Sequence, residues 1–480
     1  MQEKCGVVGI SLTDRDAARS LYYSLYALQH RGQESAGIVT HDGFQQHGHV
    51  DTGLVGDVFD TEDLTTLAGS NGIGHVRYPT SGGVGSCCAQ PFSVSFKSGS
   101  LGLSHNGNLV NADEVRDDLA NLGHAFTSDG DTEVIAHDLA RNLLEEDLVR
   151  AVKSTMARIH GSYSLTIMHD ETVLGVRDPQ GNRPLSLGKL ADGYVLASES
   201  SAIDILDGEL VREVRPGELI VLEPDGSGYD TYQLFDRSNS AHCFFEHVYF
   251  ARPDSVINDE LVYDVRRTLG GKLWEESGIE TDVVMPVPDS GRAFASGYAE
   301  AAAAEGARTE FAEGLMKNRY VGRTFIMPTQ DARERAVRLK LNPIKSTIEG
   351  RTVTLIDDSI VRGTTSNQLL AVLREAGAEE IHLRIGSPPI VSPCYLGIDM
   401  ATRDELIAAE KTVEDICAEI GADSLNYLSI DAITDALNTA HEDLCLGCVT
   451  GEYPYDIEGE SCDRDVTRPS ITGSQTSADD

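Results

Sequence analysis

The stretch Val353–Ser366, Val-Thr-Leu-Ile-Asp-Asp-Ser-Ile-Val-Arg-Gly-Thr-Thr-Ser, constrains the fold of this chain more than any other. Val353 to Ile356 read as a strand buried on both faces, the pattern of a parallel sheet. Two carboxylates, Asp357 and Asp358, stand where that strand ends. Gly363, Thr364, Thr365 and Ser366 make a loop of small residues. Leu369, Leu370, Val372 and Leu373 then recur at helical spacing as far as Gly377, a helix stop. Together these parts make a site for a sugar phosphate. The helix N-terminus and the hydroxyls hold the phosphate, and the carboxylates suit ribose hydroxyls or a hydrated magnesium ion. The plainer reading is a strand-to-helix turn with an acidic flank, which many α/β proteins contain.

At 480 residues the chain is too long for one ordinary core, so two large domains are expected. The start, Met-Gln-Glu-Lys-Cys-Gly-Val-Val-Gly, lacks the basic and apolar regions of a signal peptide, and no run reaches the length of a membrane span. A cytoplasmic location is the expectation. With 39 Lys plus Arg against 77 Asp plus Glu, the net charge is −38, which argues against nucleic acid or an anionic membrane as partner. Such a surface suits a cytoplasm of very high salt, where screening is short and self-repulsion falls, so a halophilic source is expected. Nine cysteines in such a chain read as metal ligands or catalysts before disulfides.

In the first half, Cys5 leads a strand that begins at Val7. A thiol alone there is structural more often than catalytic. Were Met1–Lys4 removed, however, Cys5 would carry both a nucleophile and an α-amine with a pKa near 8, a usable base. A helical stripe through Leu21, Leu25 and Leu28 ends at Gln29-His30-Arg31-Gly32. Then come Gly74-His75-Val76-Arg77-Tyr78-Pro79-Thr80, Ser104-His105-Asn106-Gly107-Asn108, and Ser128-Asp129-Gly130-Asp131-Thr132-Glu133, the last opening a helix through an apparent N-cap. Each is a plausible turn, and their order after Cys-Gly is the specific part. This region resembles the glutaminase domain of the class II, N-terminal-nucleophile glutamine amidotransferases, which implies an αββα fold. The resemblance makes Cys5 the nucleophile, with the Asn106 side chain and the Gly107 N–H as oxyanion hole. It makes Arg31, Arg77, Thr80 and Asp131 the glutamine-binding set. Asp131 is preferred to Asp129 because Asp131-Thr132-Glu133 fits the family's Ser-Asp-Thr-Glu pattern, although Gly130 replaces the serine. The four residues before Cys5 imply a propeptide, 1–4, cut after Lys4. Arg177-Asp178-Pro179, Arg183 and Ser198-Glu199-Ser200 also look like the family, but receive no catalytic role.

A polar run at Asp236–Ser240 marks a boundary between residues 5–237 and 238–465. Leu261, Val265, Leu269 and Leu273 predict a long helix, and Val283–Val287 a second buried strand, followed by Pro288-Asp289-Ser290-Gly291, a loop suited to an anion. Next come Lys317 and Arg319, then a basic stretch from Arg333 to Lys345, read as a lid over a polyanionic substrate in preference to a solvated helix face. The Val353–Ser366 stretch resembles the binding motif for 5-phosphoribosyl-1-pyrophosphate (PRPP) of the type I phosphoribosyltransferases, which implies an α/β domain with a parallel sheet. From Cys5 to about Thr450 the pattern resembles the glutamine PRPP amidotransferases.

That resemblance implies a first step of purine synthesis: glutamine, PRPP and water yield 5-phosphoribosylamine, pyrophosphate and glutamate. PRPP would meet Asp357, Asp358, Gly363, Thr364, Thr365, Ser366, Lys317 and Arg319, with Mg2+ near Ser290, Asp357 and Asp358. Purine nucleotides as feedback inhibitors and a homo-oligomer, dimer or tetramer, are implied as well. Cys445-Leu446-Gly447-Cys448, with Cys243 and Cys394, aligns with the thiolates of a structural [4Fe–4S] cluster in one branch of the family, and four thiolates also fit zinc. Cys87, Cys88, Cys417 and Cys462 show no pattern. The tail 466–480, rich in Ser, Thr and Asp, is expected to be disordered. An amino-sugar synthase would lack the Asp357-Asp358 loop, and an inert PRPP-binding regulator would have lost Cys5, Arg77 or Asn106; all three are present.

Overall fold

The computed structural model of the chain describes residues 5–78, 88–236, 240–318, 341–398, 400, 402–457, 460–462 and 471–475. Short strands linked by turns fill the first half, and such connections favour antiparallel pairing. One sheet runs through Glu209–Glu213, Ser186–Leu190, Gly193–Ala197, Gly6–Leu12, Asn71–Arg77, Ser35–His41 and Gln46–Thr52. The strand led by Cys5 is therefore central, with Gly6 opposite Val76 and Val8 opposite Ala197. The second sheet runs through Ile471–Gln475, Tyr229–Phe235, Glu218–Leu222, Thr172–Arg177, Gly161–His169, Gly99–Leu109 and Phe92–Phe96. Val7, Val39, Ile73, Met168, Leu187, Leu196 and Ile220 pack between the two sheets. The helix Ala18–Ala27 covers the first sheet through Leu21 and Leu25. The helices Asp131–Asn142 and Leu148–Arg158 cover the second through Ile135, Leu139 and Val152. The half is thus an αββα sandwich, as expected.

The main sheet of the second half is parallel, in the order Glu310–Phe311, Val283–Pro286, Thr352–Asp357, Glu380–Ile385, Ser424–Tyr427. The strands alternate with helices, the connection that parallel pairing requires. The helices Val262–Ser277 and Gly291–Ala304 pack one face through Leu269, Leu273 and Phe294; Thr364–Glu375 and Val413–Ile420 pack the other through Leu369, Leu373 and Ile416. Val283, Val284, Val353, Leu355 and Ile356 are all fully buried, the two-faced burial that their apolar runs predict. Truncating Leu355 to Ala would cost about 2–5 kcal/mol.

The tail departs from expectation. Ile471–Gln475 pairs antiparallel with Tyr229–Phe235 as an edge strand, Tyr232 opposite Gln475, although composition predicted disorder over 466–480. An edge strand is held by backbone hydrogen bonds, which a polar composition leaves intact, and Ile471 and Thr472 favour the extended state. The boundary residues 237–239 and the leader 1–4 lie outside the described residues.

Candidate active site

Cys5 is 6% exposed, and burial pushes its thiol above the usual cysteine range. A backbone hydrogen bond at Tyr78 and the charge of Arg77 pull it partly back, Asp131 pushes it up, and Arg31 pulls it down. A neutral thiol needs a base before it can act as nucleophile. A small cleft is lined by Arg77, Gln90, Ser128, Gly130, Asp131 and Thr132, among others, and two of these, Arg77 and Asp131, also act electrostatically on Cys5. Arg77 ends the strand beside that of Cys5 and is paired with Glu34 at 3.0 Å. Asp131 opens its helix, where its charge meets the positive dipole end. Burial pushes the Asp131 carboxyl up, but His105 at 3.3 Å and the Leu109 N–H at 3.1 Å outweigh it and hold the group below its ordinary value. Asp129 is exposed and does not line the cleft.

The expected N-cap at Ser128 takes another form. Gly130 is the capping residue, and the Glu133 carboxylate reaches back to accept from the N–H and hydroxyl of both Thr127 and Ser128, at 2.7–2.9 Å. The loop before Asp131 is fixed by its own helix.

Asn106 and Gly107 lie on the Gly99–Leu109 strand, opposite Ser164 and Tyr163. The Asn106 side chain is fully buried, yet neither its Nδ2 nor its Oδ1 has a hydrogen-bond partner among the described residues. A buried amide left unpaired costs about 1–3 kcal/mol, so its retention calls for a ligand or a role in the reaction. At Gly107 a Cβ would fall 2.0 Å from the Ser162 carbonyl oxygen, so only glycine fits the strand there.

Arg31 is corrected. It is 1% exposed, does not line the cleft, and forms ion pairs with Glu199 and with Glu246, the latter at 2.9 Å. Its Nε donates to the Cys5 carbonyl at 3.1 Å. A fully buried guanidinium must spend its donors on fixed partners, and here Arg31 braces the backbone of Cys5. Both carboxylates were missed as site residues. Glu246 belongs to the second half, and only the fold brings it back across 215 residues. Glu199 also accepts from Ser255 and the Arg252 N–H, and its carboxyl is held far below the usual range by His30 and Arg31 despite burial. Asp178, given no role from sequence, accepts from the N–H groups of Tyr163, Gln180 and Asn182 and from the Tyr455 hydroxyl. Burial raises it to about 6. These groups weld the halves together.

In the second half, Pro286 stands opposite Ile356 in adjacent parallel strands, so the loops after them meet. Ser290 donates its hydroxyl to Asp358, which also accepts from Ser359 at 2.6 Å. Asp357 accepts from the Asp358 N–H at 2.9 Å, and burial together with the neighbouring Asp358 charge raises it well above the carboxylate range. Ser290, Asp357 and Asp358 thus converge, and a crowded, destabilised acidic pair is the donor chemistry that suits a divalent cation. Gly363 caps the helix Thr364–Glu375 at φ +72°, a left-handed conformation that opens the helix N–H groups to the loop. Thr364 and Thr365 are exposed there, whereas Ser366 is buried. Lys317 pairs with Asp289 of the other loop at 2.7 Å. Thr80, Arg319 and residues 333–340 of the basic stretch lie outside the described residues.

Cys243 pairs with Cys445 between short parallel strands, and the Cys448 carbonyl accepts from Val391 and Ser392, beside Cys394. Burial, then Cys243 and Cys394, push the Cys445 thiol up to about 12, and Cys448 responds to the other three. Cys243 and Cys448 are buried and Cys394 and Cys445 partly so, and thiols gathered this closely suit a group that takes them as thiolates. Among the described residues no three His, Cys, Asp or Glu side chains are grouped closely enough to hold a metal ion.

An antiparallel αββα sandwich with a buried leading cysteine, followed by a parallel sheet with an acidic pair at a strand tip, defines an amidotransferase joined to a phosphoribosyltransferase fold. Residues 85–205 match the family model described as glutamine amidotransferase domain. Proteins named amidophosphoribosyltransferase are similar along nearly the whole length: that of Methanocaldococcus jannaschii is 48% identical, covering 95% of this chain and 98% of its own, and that of Bacillus subtilis 44%, covering 95% of each. A solved glutamine PRPP amidotransferase from B. subtilis, complexed with ADP and GMP, superposes with a TM-score of 0.87 at 42% identity, covering 95% of this chain and 99% of that one. The chain belongs to the amidophosphoribosyltransferase family.

Proposed function

We infer that this enzyme carries the amide nitrogen of glutamine to C1 of PRPP, the opening step of purine synthesis. The observation that carries the glutaminase part is the buried amide of Asn106, unpartnered among the described residues, on a strand tied at Leu109 to Asp131 of the cleft. Arg77 would pair with the glutamine α-carboxylate and Asp131 with its α-ammonium, with Thr80 assisting. Cys5 Sγ attacks the side-chain amide carbon as its proton passes to the Cys5 α-amine, freed by cleavage after Lys4. The C–N bond breaks, ammonia takes that proton, and water later hydrolyses the thioester to glutamate. The oxyanion is met by the Asn106 amide and the Gly107 N–H, donors each worth about two to three orders of magnitude in rate. Ammonia then forms a C–N bond at C1 of PRPP while the C1–O bond to pyrophosphate breaks. Asp357 and Asp358 orient the ribose hydroxyls, Gly363–Ser366 hold the 5-phosphate, and Lys317, Arg319 and the basic stretch of 333–345 exclude water.

Mg2+, when bound at Ser290, Asp357 and Asp358, supplies neutralisation of pyrophosphate charge. A [4Fe–4S] cluster on Cys243, Cys394, Cys445 and Cys448 would supply a covalent cross-link. Zinc on the same four thiolates is the alternative. Purine nucleotides as inhibitors draw support from the ADP and GMP bound to the B. subtilis relative. A cytoplasmic location agrees with the finding that no described helix is long and apolar enough to cross a membrane. The net charge of −38 supports a halophilic source. Intact mass and iron content, measured on protein purified anaerobically in high salt, test the processing and the cluster. A mass short by Met1–Lys4 with about four irons per chain is expected. A full-length mass would deny Cys5 its base, and zinc would overturn the cluster.

A further inference from the structure

Residues 395–397 of the second half press on the back of the oxyanion strand. The Gly397 backbone, at φ +93°, comes so near that a Cβ there would lie 2.8 Å from the Gly107 carbonyl carbon and 2.9 Å from its oxygen. Asn108 Nδ2 donates to the Tyr395 carbonyl at 2.8 Å. The Leu396 carbonyl accepts from Ser162 Oγ at 2.7 Å, from Arg183 Nε at 3.1 Å and from Arg183 Nη2. Ser162 belongs to the strand paired with that of Gly107, and its own carbonyl oxygen also abuts Gly107. Arg183 is fully buried and reaches Glu246 at 3.4 Å, the carboxylate that also pairs with Arg31 behind Cys5. The Gly107 backbone therefore sits clamped between its own sheet and a loop supplied by the other half.

We propose that Gly397 is a positioning residue for glutamine hydrolysis: its bare backbone sets where the Gly107 peptide lies, and so where the Gly107 N–H points. Hydrogen-bond donors preset for a developing oxyanion act only if held within a fraction of an ångström, so a clamp from outside the domain makes hydrolysis depend on the seating of the second half. This rests on the reading of Asn106 and Gly107 as the oxyanion hole.

The test uses the full chain and the γ-aldehyde of glutamate. Cys5 Sγ adds to its carbonyl carbon, the C=O π pair moves to oxygen, which takes up the thiol proton, and the resulting hemithioacetal places that oxygen in the hole. In Gly397→Ala, glutaminase kcat should fall on the order of 10-fold to 10²-fold with KM for glutamine within about twofold, and the aldehyde Ki should rise by the same factor as kcat falls. Ammonia-dependent synthesis should stay within about twofold, which also reports that the chain is folded. Ser162→Ala removes only one support of the Leu396 carbonyl, and should move kcat and aldehyde Ki together by a few-fold, about the effect of one hydrogen bond. It decides the matter if Gly397→Ala does not fold. An unchanged aldehyde Ki, or ammonia-dependent and glutamine-dependent rates falling together, would overturn the proposal. Asn106→Ala separates the two readings. If it raises the aldehyde Ki and the Gly397 and Ser162 variants do not, only the clamp fails. If it leaves the Ki unmoved, the oxyanion hole fails and the clamp with it.

Discussion

The two halves of this chain solve opposite binding problems. In the antiparallel half the groups proposed for glutamine are buried before substrate arrives: Cys5 at 6% exposure, Arg77 at 3%, and Asn106 with no exposure and, among the described residues, no side-chain partner. In the parallel half they stand on loops at strand tips, with Asp357 half-buried, Thr364 and Thr365 exposed, and Lys317 parked on Asp289. The difference follows from the charge to be met. A neutral amide becomes an oxyanion only in the transition state, and dry, fixed donors stabilise that fleeting charge best. A substrate bearing several phosphate charges needs groups that can be gathered round it after it enters. One site stores its cost in an unpaired amide, and the other in a crowded acidic pair.

Mutations can break this contrast, beginning with the largest effect. Cys5→Ala should lower the glutamine-dependent rate about 10⁴-fold or more and leave the ammonia-dependent rate within about twofold, because only the first half loses its nucleophile. Parallel loss of both rates would show that the halves do not work separately. Asn106→Ala should reduce glutaminase kcat by about 10²-fold to 10³-fold with little change in KM, since the amide acts only in the transition state. A rise in KM alone would place Asn106 in ground-state binding. Asp358→Asn should cost the ammonia-dependent rate on the order of 10-fold to 10²-fold, the worth of a hydrogen bond to a charged group, and weaken Mg2+–PRPP binding in titration while sparing glutamine hydrolysis.

Acid gives a smaller, graded effect. Burial lowers His75 to about 3, so the unfolded chain binds more protons between about pH 6.5 and that value. The stability contributed by neutral His75 is present above about pH 6.5 and lost as pH falls toward 3. His75→Gln should therefore flatten the acid limb of a denaturation midpoint against pH curve, and an unchanged limb would show that His75 is not the group.

The strand-and-loop logic of the parallel half was open to reading because each motif is local. Val353–Ile356 needs two-faced burial, Asp357 and Asp358 follow it, and the helix begins at Thr364 as the small residues predict. Cys5, Arg77, Asn106 and Asp131 stand out by their order along the chain, and the fold brings Arg77 and Asp131 within electrostatic reach of Cys5. What local pattern does not reveal is where a long side chain spends its donors. Arg31 reads as a ligand for glutamine until Glu246, from the far half, is seen to hold it. Gly397 carries no signal except its lack of a side chain, whose meaning depends on Gly107 lying behind it. The edge strand Ile471–Gln475 was missed because its bonds are made by backbone and its composition says nothing of them.

The central claim is that one chain moves nitrogen from glutamine to the sugar. The most direct measurement supplies glutamine labelled with 15N at the amide, together with PRPP, Mg2+ and a modest amount of unlabelled ammonium, and reads the isotope in the phosphoribosylamine formed. Product carrying predominantly 15N, with one glutamate released per pyrophosphate, is the predicted result. Product bearing only unlabelled nitrogen, or glutamate released with no pyrophosphate, would contradict it.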